Sequence, residues 1–160
     1  MKHLYLICLS LCFQLSFSQV EAPKIRVVRE IHPNEIRLRW AIDEPVAWQK
    51  SNAIGFRLER FLVGRNGEVL PPSEPVMLGE FHVPVLEKWE PLATKNDNAA
   101  IVAQALYGDS FEVEVTNKNN PIEGIANKAS EIDQRFSFAL MAADLDFEVA
   151  QFAGWGFIDK

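Results

Sequence analysis

The sequence predicts an α+β fold, with antiparallel strands in the N-terminal half and helices after them. Three observations lead there. Apolar and charged residues alternate singly through residues 35–40 and again from 55 to 60, turn-forming residues precede the first run and follow the second, and beyond about Pro84 apolar residues recur at spacings of three or four. At 160 residues, with 48% hydrophobic and 24% charged side chains, the chain is one domain's worth, neither a disordered tail nor a multidomain enzyme.

The first 19 residues read as an export signal: Lys2 is followed by an apolar stretch from Leu4 to Phe13, then by Ser16, Ser18 and Gln19, with charge resuming at Glu21. The run falls short of a bilayer span, which needs about 20 residues, and no basic stop-transfer segment follows. Cleavage is expected near Ser18 or Gln19. Leu11 stands where a lipoprotein signal needs a small residue before Cys12, which argues against a lipid anchor. Both cysteines, Cys8 and Cys12, lie inside this leader, so the exported chain carries no disulfide and no thiolate chemistry. Only Lys2 of the charged residues lies there too, leaving 15 basic against 22 acidic residues, a net of −7. Nucleic acid would be repelled. Arg26, Arg29, Arg37, Arg39, Arg57 and Arg60 alternate with apolar residues or acids and read as the solvated face of a sheet.

In Glu35-Ile36-Arg37-Leu38-Arg39-Trp40 the apolar positions define one buried face, and His32-Pro33-Asn34 supplies a turn from a strand over residues 25–31 into Glu35–Ile42. A third strand over residues 55–63 loses its alternation after Arg60, where a bulge would restore it. Asn66-Gly67 is hairpin-turn chemistry, doubling residues 68–70 back. Pro71, Pro72 and Pro75 then leave room for only a short edge strand over residues 76–78.

Asp97 or Asn98 is expected to cap a helix running to Tyr107, with Gly108 as a left-handed stop. Phe111-Glu112-Val113-Glu114-Val115 alternates like a strand, and residues 117–121 read as a loop. A longer helix begins near residues 122–125, because Ile125, Ala129, Ile132, Phe136, Ala139 and Ala143 form one stripe that Phe138, Leu140 and Met141 widen. Asp144 is expected to cap a last helix through Val149 and Phe152, ended by Gly154.

The stretch Ile36-Arg37-Leu38-Arg39-Trp40 with Gly55-Phe56-Arg57-Leu58-Glu59-Arg60 resembles the second and third strands of a fibronectin type III domain. Trp89-Glu90-Pro91-Leu92, Ala103-Gln104-Ala105-Leu106-Tyr107-Gly108, Arg135-Phe136-Ser137-Phe138-Ala139-Leu140, Ala142-Ala143-Asp144 and Gly154-Trp155-Gly156-Phe157-Ile158-Asp159 resemble segments of large secreted bacterial fibronectin type III proteins whose first sandwich carries a helical insertion. With the export signal over residues 1–19, the resemblance implies fibronectin type III-like strands over 20–82 and a helical insertion over 83–160. It also implies that a tyrosine-bearing strand and its successor follow residue 160 to complete the sandwich. The chain is therefore expected to be the N-terminal piece of a longer protein, with an open edge and an uncovered apolar face. No catalytic residue is implied.

Residues that could carry chemistry have plainer accounts. Outside the leader the only histidines are His32, in a turn, and His82, beside a proline-bounded segment; neither has metal-ligand spacing. Asp144, Asp146 and Glu148 suggest calcium only until a helix turns Asp146 away, leaving capping and solvation. No nucleophile elbow, phosphate loop or dinucleotide fingerprint occurs. Trp48, Trp89, Tyr107 and Trp155 could form a stacking platform for sugars or peptides, but large aromatics more often anchor layers, and Trp89 and Trp155 are expected to join helices to sheet. Trp40 belongs to the core. The sequence thus points to a secreted or cell-surface, non-catalytic binding or scaffold module with no cofactor and no metal. Its expected partners are the remaining strands and domains of a longer chain and a protein or polysaccharide ligand. The alternative is an accessory region of a secreted polysaccharide- or protein-degrading enzyme.

Overall fold

The computed structural model of the chain describes residues 21–71, 73–110 and 121–160. The leader, the 111–115 alternation, most of the 117–121 loop and the side chain of Ile125 lie outside what it describes. The described residues form an α+β structure with three small antiparallel sheets: β1 (Ile25–His32), β2 (Glu35–Ile42) and β7 (Gly156–Asp159) in the order β1-β2-β7; β3 (Phe56–Arg60) with β6 (Val76–Phe81); and β4 (Gly64–Arg65) with β5 (Glu68–Val69). Helices α1 (Pro45–Ile54), α2 (Leu86–Ala93), α3 (Asp97–Tyr107), α4 (Pro121–Leu145) and α5 (Phe147–Phe152) complete it.

The β1-β2 hairpin pairs Ile25 with Ile42 through to His32 with Glu35, so Pro33-Asn34 makes the expected turn. Asn66 and Gly67 both hold positive φ, 54° and 84°, as the tight turn between β4 and β5 requires. The irregularity in β3 falls between Leu58 and Glu59, two residues earlier than the alternation suggests, and β6 extends through Phe81. The segment between β2 and β3 is a helix. Glu44 accepts from the amides of Val46 (3.0 Å) and Ala47 (2.6 Å), Pro45 sits where a missing N–H costs nothing, and Gly55 at φ 89° ends it.

The helix caps lie slightly off their expected places. Asn96, not Asp97 or Asn98, caps α3, accepting from the amide of Ala99 at 3.1 Å. Asp146, not Asp144, caps α5, because its carboxylate accepts from the amides of Glu148 and Val149 at 3.0 and 3.4 Å. Gly108 ends α3 with φ −62°, outside the left-handed region. Phe138 and Met141 are exposed, so α4 buries a narrower stripe than its composition suggests; Ala139, Ala142 and Ala143 carry it.

The core lies where helices meet sheet. Trp48, Trp89 and Trp155 are buried with the alanines of α3 and α4 and with Val102 and Val149. Trp155 is the joint: its carbonyl accepts from the Trp40 amide at 2.9 Å, its indole donates to Asn52 at 3.1 Å, and its ring meets Trp48 at 5.8 Å. Trp89 instead binds helix to helix, its ring edge-on to Phe152 at 4.9 Å. The two larger sheets meet through rings: Trp40 lies 6.2 Å from Phe56 and 5.1 Å from Phe81, and Phe81 lies 5.6 Å from Phe157.

The glycine before Trp155 permits this approach. Gly154 holds φ 75°, and a Cβ there would stand 2.9 to 3.1 Å from three backbone atoms of His82. Gly154→Ala should therefore lower stability by about 1–3 kcal/mol through strain and backbone displacement. A urea melt of the purified variant checks this, with Gly67→Ala, which strains only its own turn, as the milder comparison.

Candidate functional site

Two recesses flank the helix-sheet junction. The first, a cleft of about 200 Å³, lies between the β1-β2 hairpin and the end of α4 and is lined by Arg26, Val28, Arg39, Leu140, Asp144 and Trp155, among others. A neighbouring cleft of about 170 Å³ shares Val28, Arg39 and Asp144 and adds Glu30, Arg37 and Phe147. These clefts show that part of the expected solvated face is not free. Arg39 pairs with Asp144 and donates to the Ala143 carbonyl at 3.0 Å, and the Arg37 guanidinium stands over the Phe147 ring at 5.4 Å. The helical region packs against the charged side of the hairpin because these arginines find a carboxylate, a helix-end carbonyl and a ring there.

The second recess, about 220 Å³, lies between α1 and α3 and is lined by Trp48, Gln49, Asn52, Val83 and Tyr107, among others. Nε1 of Trp48 and Nδ2 of Asn52 are buried without a hydrogen-bond partner among the described residues, while Oδ1 of Asn52 accepts from Trp155. Of the aromatics considered as a platform, Trp48 and Tyr107 share this recess, Trp155 sits in the first cleft, and Trp89 is fully buried. They form no common surface.

The ionisable groups are bound into structure. Asp146 accepts from Asn96 at 2.8 Å as well as from its own helix, and these bonds, that of Asn96 foremost, hold its carboxyl below the ordinary 3.8. The two caps thus clasp α3 to α5. Asp43 is likewise lowered, chiefly by the Lys24 amide and then by Arg26, and Glu131 by Arg135. Tyr107 is raised by burial and by Glu87, and its hydroxyl donates to the Pro84 carbonyl at 2.6 Å, beside the indole of Trp89 at 3.1 Å. His32 stands 3.5 Å from Glu30, and His82 backs onto Gly154. Among the described residues no three His, Cys, Asp or Glu side chains are grouped to hold a metal ion.

One buried charge escapes the sequence reading. Arg135 is 7% exposed, and its guanidinium donates to the carbonyls of Gln104 (3.2 Å), Ala105 (3.0 Å) and Gly108 (2.7 Å) and to Glu131 at 2.6 Å. It caps the C-terminus of α3, where orphan carbonyls and the negative end of the helix dipole favour a cation. The available signal is Glu131 four residues before Arg135 in a helical stripe.

In comparisons with protein-family models, curated proteins and solved structures, nothing matches the chain.

Two outcomes follow. Arg135→Ala should cost about 3–5 kcal/mol, since it leaves Glu131 and three carbonyls without their buried partner, and Arg135→Lys should recover only part of that; chemical denaturation measures both. Because the folded Asp146 carboxyl titrates below its unfolded value, its contribution is complete above that value and is lost as pH falls toward the folded one. Asp146→Ala should therefore be about 1 kcal/mol less stable at neutral pH and lose less than the wild type as pH falls below the ordinary carboxylate value, as urea melts across pH would show.

Proposed function

We propose that this chain is an extracytoplasmic, non-catalytic binding and scaffold module, built as part of a fibronectin type III-like sandwich with a helical insertion between β6 and β7. One observation carries the reading. The charged side chains with displaced titration serve caps and ion pairs, while apolar residues of the sheets stay exposed: Ile25, Val27, Val28 and Ile31 of β1, and Val76 and Met77 of β6. A surface of this kind suits contact with other polypeptide. The ring contacts between the β1-β2-β7 and β3-β6 sheets support the sandwich, and the leader-like first 19 residues support export. Among the described residues no helix is long and apolar enough to cross a membrane. The partners proposed are further strands that continue these sheets and a protein or polysaccharide ligand, with no cofactor.

The test uses the full chain, expressed with its leader and recovered after export. On arrays of polysaccharides and peptides it should be retained without converting any of them, and mass spectrometry should find its N-terminus near Val20. Turnover of a polysaccharide or peptide that disappears in Asp144→Asn or another single carboxylate variant would establish an enzyme instead.

A further inference from the structure

β1 is one of the two terminal strands of its sheet, and no other described strand pairs with its outer edge. Of its apolar side chains Ile25 is 58% exposed, Val27 60%, Val28 57% and Ile31 69%. An eight-residue edge of this kind invites a further strand. We propose that the strand is β1 of a second copy, antiparallel and centred on Val28.

The backbone restricts the register first. The Asp43 amide donates to the Lys24 carbonyl at 3.0 Å, so Lys24 belongs to a hydrogen-bonded pair of the hairpin, and by alternation so do Arg26, Val28, Glu30 and His32. The N–H and C=O groups of Ile25, Val27, Arg29 and Ile31 therefore face outward. Two copies join only when these outward sets meet, which excludes every register that sets Ile25 against His32 or Val27 against Glu30. Side chains decide among the rest. Centring on Arg29 or Glu30 opposes like charges at the two-fold axis, and centring on Val27 leaves Arg26 opposite Val28. Centring on Val28 sets Arg26 opposite Glu30 of the second copy, twice, in the pairs where side chains stand closest, and it sets Ile25 opposite Ile31, also twice. Arg26 uses its Nε for Asp43 at 2.7 Å, so its terminal nitrogens serve Glu30. The joined sheet carries the exposed apolar faces of both copies side by side.

This pairing rests on reading the sheets as an interaction surface, and its failure is distinguishable: a monomer that is still retained on the ligand arrays loses the second copy alone. The experiment again uses the exported full chain. Sedimentation velocity should show a dimer that dissociates on dilution. Val28→Cys should form a disulfide-linked dimer on non-reducing gels, on the order of tenfold faster than Val27→Cys, because self-opposed residues of such a pair lie within the Cα separation a disulfide needs. Arg26→Glu and Glu30→Arg should each be monomeric, and mixing them should restore a dimer, since one copy then presents two carboxylates to the two guanidiniums of the other. Restoration on mixing also shows that both variants are folded. A monomeric wild type, faster crosslinking through Val27→Cys, or variants that stay dimeric singly would each overturn the proposal.

Discussion

The structure depends on the burial of Trp155 at the point where β2, α1 and α5 converge. Its main chain continues the β2 ladder through Trp40, its amide donates to the Ala150 carbonyl near the end of α5 at 2.8 Å, and its indole reaches α1 through Asn52 and Trp48. An indole of this size removes about 150–250 Å² from water, worth about 4–6 kcal/mol as an upper bound. That exceeds the cost of the left-handed Gly154 that allows it. Remove the ring, and the helical region keeps its contacts to Arg37 and Arg39 but α1 loses its contacts with Trp155 through Trp48 and Asn52.

The polar interactions serve the same junction. Arg39 and Arg135 each enter the C-terminal end of a helix, α4 and α3 respectively, and each is also paired with a carboxylate. At the opposite ends Asn96 and Asp146 cap α3 and α5 and bond to each other. Helix termini, which leave orphan donors and acceptors, are thus tied together in pairs. A guanidinium occupied in this way is poorly placed to meet an outside phosphate or carboxylate. This is why the clefts beside Arg39 carry less functional weight than their charge alone suggests.

Local chemistry makes much of the fold legible. The β1-β2 hairpin, the Asn66-Gly67 turn, the end of α5 at Gly154 and the burial of Trp40 follow from alternation and turn residues, and the burial of Trp155 from the tendency of large aromatics to anchor layers. Helix α1 escapes that reading although Glu44, Pro45 and Gly55 form a cap, a first-turn proline and a stop, because the flanking strands extend a period-two expectation across it. The exposure of Phe138 and Met141 is not legible, since a side chain's apolarity does not say how much of it the fold covers. Arg37 and Arg39 read as solvated for the complementary reason. Alternation places them on the face opposite Trp40, but only the tertiary arrangement brings α4 and α5 to that face.

That arrangement leaves the two faces of the hairpin unequally covered. Helices occupy the charged face near β2, whereas the apolar face is closed at Ile42 by the helical core and around Trp40 and Phe157 by Phe56 and Phe81 of the second sheet. With two strands, the second sheet is too narrow to reach β1, so Ile25, Val27 and Ile31 share a face with buried Trp40 yet remain in water. A two-stranded sheet contributes little stability of its own and is held by what it packs against, here the rings of Trp40 and Phe157 and the Arg60–Asp159 ion pair at 2.8 Å. The energetic centre therefore lies at one side of the molecule, in the helix-sheet junction. The hairpin edge, which the core does not need for its own closure, is an edge of the fold free to take up another strand.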